Sequence, residues 1–305
     1  MIEEGIGFGK VILFNEHFVV YNVPAIASAI GMKTSVSIEP AEKLILIDDR
    51  KETPGYKKEK LEQQKESLKR IMDAADIENR DIKIALGGDL IASSGIGASA
   101  ASCVAIARAL SEYFNLDFSD NRINDLAYEG EKGYHGTPSG IDNTVATYGG
   151  LVWFKKSKPN IIERLNIQSH VEIVITNTGI VADTSRVVAG VRERKNRNPE
   201  KYKRIFNNAE KLVYDAREAL KKFDLKKVGE LMNKNHKLLQ EIGVSCKELD
   251  FLVDLARDNG AYGAKLTGGG AGGNMVALTP GKELQENVVS AMEKEGFTIL
   301  RTTIG

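Results

Sequence analysis

The chain has 305 residues, enough for two domains with ample cores. Lys+Arg and Asp+Glu each number 42, and a formal net charge of zero argues against nucleic acid as a partner, which would call for a basic surplus. The apolar runs are too short to cross a bilayer, and the acidic, glycine-bearing start MIEEGIGF is unlike a signal peptide, so no membrane partner is expected. The two distant cysteines, Cys103 and Cys246, make neither a disulfide framework nor a zinc site, which predicts a reducing, cytoplasmic setting. His17, His135, His170 and His236 show no HxxxH pairing, so a histidine-based metal site is not expected.

In chain order, Val11–Phe14 reads as a short buried strand begun by Lys10, and Phe18–Tyr21 as a second one. Asn15-Glu16-His17 between them is a polar turn whose asparagine tolerates a left-handed backbone. The stretch 24–38 ends in an alternating strand, Thr34 to Ile38. Residues 48–60 are the most polar stretch and read as an exposed loop, followed by an exposed helix over 58–75 and a strand over 81–86. Ser119 or Asp120 can cap a helix running to about Lys132, and the three glycines and one proline between Gly133 and Gly140 impose a fixed loop. Strand character returns at Leu151–Phe154, and charged KKSKPN marks a boundary between domains 1–168 and 169–305. The second half opens on a strand over 170–178. Helical segments over 183–242 follow, broken at Pro199 and at Phe223-Asp224, and another helix covers 247–259. A glycine loop, Thr267 to Asn274, then lies between short strands, and a helix over 283–295 and a strand over 297–303 close the chain.

The chemistry centres on SSGIGASAAS. There Ser94, Gly95, Ile96, Gly97, Ala98, Ser99 and Ala100 form a small-residue loop running into an apolar-faced helix. Such a loop leaves first-turn N–H groups pointing outwards at the positive end of a helix dipole, which suits an anion such as polyphosphate. Taken alone, it is equally at home as a tight turn before a core helix, and it fits neither the P-loop nor the dinucleotide fingerprint. Lys10, Glu131 and Asp142 are each, taken singly, as well explained by a solvated strand end, an exposed helix end and an Asx turn.

Four stretches stand in order: GKVILFNEHFVVY, SSGIGASAAS, HGTPSGIDNTVATYGG and KLTGGGAGGNMVAL. Together they resemble the GHMP kinases, the small-molecule kinases named for galactose, homoserine, mevalonate and phosphomevalonate. The resemblance implies an α+β, two-domain fold, with an N-terminal domain like ribosomal protein S5 domain 2, a C-terminal ferredoxin-like domain and the active site in the cleft between them. It implies ATP and Mg²⁺ as cofactors, with Gly95–Ala100 on the phosphates and Ser99 and Glu131 on the metal. Asp142 would meet the substrate hydroxyl, and Lys10 would stabilise that carboxylate and the transferring charge. Glu-His after the first strand and the HGTPSGIDN stretch are closest to the members that act on mevalonate. By that likeness, Glu16, His17, Thr184, Gly269, Gly270 and Ala271 would line the substrate, and a helix cap is the other reading of Thr184. The family usually has glycine where Asn15 and Asn22 stand, and paired serines where Ala98-Ser99 stands. A sister kinase acting on phosphomevalonate, homoserine or a sugar, or a silent nucleotide-binding regulator, is the alternative. The resemblance admits a homodimer; no stretch of the sequence marks an interface.

Overall fold

Elements of both kinds succeed one another without a repeating βα order in the computed structural model, which describes residues 4–52, 55–92, 95–181 and 183–305. They gather into two compact units. One takes the chain up to Lys10 together with Ala29–Gly149; the other takes Val11–Ser28 and Gly150–Gly305.

The first unit is built on β4 (Ile82–Gly88). It pairs antiparallel with β2 (Ala25–Pro40) and parallel with the four-residue β3 (Ile45–Asp48). β1 (Glu4–Phe14) pairs with β2. Every second residue of β4 is buried, so Ile82, Ile84 and Leu86 share one face. That face meets Leu68, Ile71 and Met72 of α1 (Tyr56–Ala74), Val104 and Leu110 of α2 (Ala98–Tyr113) and Ile123 and Leu126 of α3 (Asp120–His135). Each such side chain contributes about 1.5–3 kcal/mol when fully buried. Ser119 caps α3 as expected, accepting from the Arg122 amide, but the helix runs on to His135. α4 (Ile141–Tyr148) follows, so Asp142 stands in the first turn of a helix and not in an Asx turn.

The second unit holds an antiparallel sheet in the order β10 (Ile299–Ile304), β7 (Val171–Asn177), β9 (Asn274–Leu278), β8 (Gly263–Thr267). A hairpin of β5 (Leu151–Lys155) and β6 (Ile161–Leu165) pairs with Ala25–Ser28 of β2. The helical run divides where the sequence breaks it, into α5 (Thr184–Arg197), α6 (Pro199–Lys221) and α7 (Leu225–Glu241). α7 and α8 (Lys247–Asp258) pack on β8, and α9 (Lys282–Lys294) on β7. The charged stretch 155–168 lies inside this unit and includes β6. Phe18–Tyr21 is a 3₁₀ turn and not a strand. Asn15 (φ 71) and Asn22 (φ 66) both hold the left-handed backbone that the sequence requires of them. Among the described residues, no helix is long and apolar enough to cross a membrane.

Candidate active site

In the first unit, α2 starts without a side-chain cap. Gly97, at φ 82, is its N-cap, and the amides of the first turn have no acceptor inside the helix. Glycine is required there twice over, for the positive φ and because a Cβ would stand 2.6 Å from Lys10 Cγ. The Lys10 amide donates to the Ile96 carbonyl (2.8 Å), which fastens β1 alongside the loop. Lys10 Nζ, buried within β1, is 3.1 Å from Asp142 Oδ2, whose side chain is about one-third exposed. Ser94 lies outside the described residues; Gly95, Ile96, Gly97, Ala98, Ser99 and Ala100 form the described loop and first turn.

Glu131 projects from α3 and is 1 % exposed, with Oε1 lacking a hydrogen-bond partner. Burial pushes its carboxyl up to about 8, and the Asp142 charge adds to this, while the Ser99 hydroxyl and Lys10 pull the other way. A buried, partnerless carboxyl oxygen is the environment that a bound cation completes. His135 Nε2 lies 3.2 Å from Ser99 Oγ and 4.0 Å from Glu131 Oε1. Partial desolvation lowers the His135 pKa, although the side chain stays largely exposed. The first unit therefore brings Lys10, the glycine loop, Ser99, Glu131 and Asp142 together. It adds His135, which the sequence offered only as part of the HGTPSGIDN stretch and without a role of its own. Cys103 is a packed residue, with Sγ 3.3 Å from Ser67 Oγ.

In the second unit, Glu16 and His17 follow β1 directly and both are buried. Glu16 accepts from the fully buried Lys265 Nζ, which also donates to the Leu266 carbonyl at 2.5 Å. Burial lowers the Lys265 pKa, and the Glu16 charge opposes that shift. No local signal marks this lysine, because its partner lies 249 positions away. Burial pushes His17 down to about 4, so the ring is neutral and Nε2–H donates to the Gly269 carbonyl (2.9 Å). Its remaining nitrogen, Nδ1, is then an acceptor. Thr184 opens α5, but the cap is Asp183, which accepts from the Ser185 and Arg186 amides. Thr184 Oγ1 instead stands where a Cβ on Gly269 would lie 2.3 Å away. Ala271 (φ 54) donates its amide to the Val244 carbonyl at 2.8 Å, so Gly269–Ala271 form a fixed backbone wall.

Within the 48–60 stretch Asp49, Lys51, Glu52, Lys58 and Glu59 are exposed as expected, and two side chains depart from it. Asp48 and Arg50 are buried side chains in a fork, and Lys57 Nζ donates to the carbonyls of both. Polarity predicted exposure because Thr34 and Ser102, which accept from Arg50 beside its near partner Asp48, lie far off in sequence.

Residues 64–150 match the GHMP kinases N terminal domain and residues 216–298 the GHMP kinases C terminal. The chain belongs to the GHMP kinases, enzymes that use ATP. Mevalonate kinases are among its relatives. That of Pyrococcus furiosus is 37% identical over 319 aligned residues, covering 97% of this chain and 94% of the relative. That of Methanothermobacter thermautotrophicus is 34% identical, covering 93% of this chain and 92% of the relative. The structure is similar to L. major mevalonate kinase in complex with R-mevalonate, with a TM-score of 0.94, 40% identity and coverage of 100% of this chain and 96% of that one.

Proposed function

We propose that the chain is a mevalonate kinase, transferring the γ-phosphoryl group of ATP to the 5-hydroxyl of (R)-mevalonate in isoprenoid precursor synthesis. The likeness to mevalonate kinases along nearly the whole chain supports the substrate. The observation that carries the chemistry is the Lys10–Asp142 pair at 3.1 Å in the same unit as the glycine loop. In this reading the 5-hydroxyl oxygen forms the bond to the γ-phosphorus as the bond to the ADP oxygen breaks. Asp142 orients that hydroxyl and receives its proton, and the Lys10 ammonium offsets negative charge at the transferring group.

The Gly95–Ala100 amides hold the phosphates. Ser99 and Glu131 hold Mg²⁺. Both offer oxygen to a hard cation, and the partnerless Glu131 oxygen fits one, although no cluster of three or more ligating side chains occurs among the described residues. Such an ion would neutralise the phosphate charge. His17 Nδ1 accepts from the tertiary hydroxyl of mevalonate, and Glu16, Thr184, Gly269, Gly270 and Ala271 shape the wall beside it.

ADP release measured with mevalonate, phosphomevalonate, homoserine and galactose tests the substrate, and phosphorus NMR tests the product. A phosphomonoester coupled to the C5 methylene protons is expected. Brisk turnover of another alcohol beside an inert mevalonate would leave only the family. Asp142→Asn should lower kcat about 10²-fold or more with ADP affinity little changed, and near-normal turnover would remove Asp142 from the mechanism.

A further inference from the structure

Arg50 is 5 % exposed and stands on none of the four family stretches. Its guanidinium makes a two-pronged pair with Asp48: Nε donates to Oδ1 at 2.9 Å and Nη2 to Oδ2 at 2.6 Å. Gln64 Nε2 reaches the same carboxylate at 3.1 Å. The remaining nitrogen, Nη1, points to two other elements. It donates to Thr34 Oγ1 on β2 (3.1 Å), to Ser102 Oγ on α2 (2.8 Å) and, more distantly, to the Ala98 carbonyl (3.4 Å). Ser102 Oγ in turn donates to the Ala98 carbonyl at 2.7 Å.

These bonds hold the very turn that local sequence leaves loose. α2 begins from a left-handed glycine with no side-chain cap. Its first residue, Ala98, has no polar group of its own, and Ser99 has its hydroxyl on His135. Asp48 neutralises Arg50 within the fork, so the arginine is committed to the scaffold and not available as a phosphate ligand. A lysine could supply the charge but not both the fork and a third direction.

We propose that Arg50 is the positioning residue of the nucleotide-phosphate loop: through Ser102 and the Ala98 carbonyl it fixes the first turn of α2, pre-ordering the amides that receive the phosphates. The proposal rests on the assignment of phosphate to the Gly95–Ala100 loop made above. Binding to an unfixed turn must order it first, and the affinity falls accordingly.

The test is titration calorimetry of the full chain with ADP and, separately, with (R)-mevalonate. It compares the wild type with Arg50→Met, Arg50→Lys and Ser102→Ala, each checked for fold by circular dichroism, and with Gly97→Ala as the loop control. Arg50→Met and Arg50→Lys should weaken ADP about tenfold, and Ser102→Ala about threefold, with mevalonate affinity unchanged. General loosening of the fold would move both ligands. A folded Arg50→Met that binds ADP as the wild type does, or loses both ligands equally, overturns the proposal. If Arg50→Met does not fold, Ser102→Ala decides, and an unchanged ADP affinity there overturns it. If Gly97→Ala leaves ADP binding intact, the loop assignment itself fails; if Gly97→Ala weakens ADP and the Arg50 and Ser102 variants do not, only Arg50 is removed.

Discussion

Glu131 and His17 are both buried titratable groups, yet burial moves them to opposite sides of neutrality. The raised pKa of Glu131 means that the folded chain keeps a proton that the unfolded chain releases above about 4.5. Its contribution to stability is therefore complete below pH 4.5 and is lost as pH rises through 8. Glu131→Gln should flatten that decline: in EDTA, the Tm difference between wild type and variant should shift in the variant's favour between pH 5 and pH 8. Parallel Tm curves would show that the carboxyl is not held protonated. The same variant should need more Mg²⁺ for half-maximal rate. His17 runs the other way. Its lowered pKa makes its contribution complete above 6.5 and lost as pH falls toward 4. His17→Ala should raise KM for mevalonate and leave KM for ATP nearly unchanged, because the lost acceptor serves one substrate only. Equal changes in both constants would make His17 a packing residue.

At the scale of elements, Asn15 and Asn22 share one backbone conformation and differ in everything else. Asn22 is exposed and ends the 3₁₀ turn Phe18–Tyr21, so Asn22→Gly should change stability by only about 0.5 kcal/mol. Asn15 is buried. Nδ2 donates to the carbonyls of Pro24 (2.8 Å) and Ala209 (3.0 Å), and Oδ1 accepts from Asn235 Nδ2 (2.9 Å). Asn15→Gly keeps the backbone and orphans three partners, so it should cost about 2–4 kcal/mol by urea unfolding. Equal effects in the two variants would mean that backbone conformation alone selects asparagine. These turns were legible in the sequence because left-handed geometry is a local demand. So were the helix breaks at Pro199 and Phe223-Asp224, and the glycine loops. Illegible were the 3₁₀ turn, since four apolar residues have no diagnostic period, and β3, whose four residues are only half-buried. Lys265 was illegible for a different reason, because the carboxylate that explains its buried charge is remote in sequence, and Arg50 because its partner Asp48 is near but the Thr34 and Ser102 acceptors that hold it inside are not.

For the molecule as a whole, family membership was legible because four stretches occur in order, whereas the make-up of the two compact units was not. The second unit includes Val11–Ser28, and that piece carries the Glu16 paired with Lys265 and the Asn15 paired with Asn235. A fragment of residues 150–305 expressed alone leaves Lys265 buried without its carboxylate, a loss of about 3–5 kcal/mol. We expect it to lack a cooperative thermal transition by circular dichroism, and a sharp transition would show that the remaining contacts suffice. The same arrangement sets a schedule on the ribosome. Val11–Ser28 leaves the exit tunnel early, but Ala209, Asn235 and Lys265 are still to be translated, a delay of about 10–50 s at ordinary elongation rates. For that interval Phe18 and Val19 have no core to enter, and the nascent chain must carry an apolar segment that its own later sequence has yet to cover. Slow codons after position 28 would lengthen this exposure, and yield in a chaperone-depleted lysate would register it.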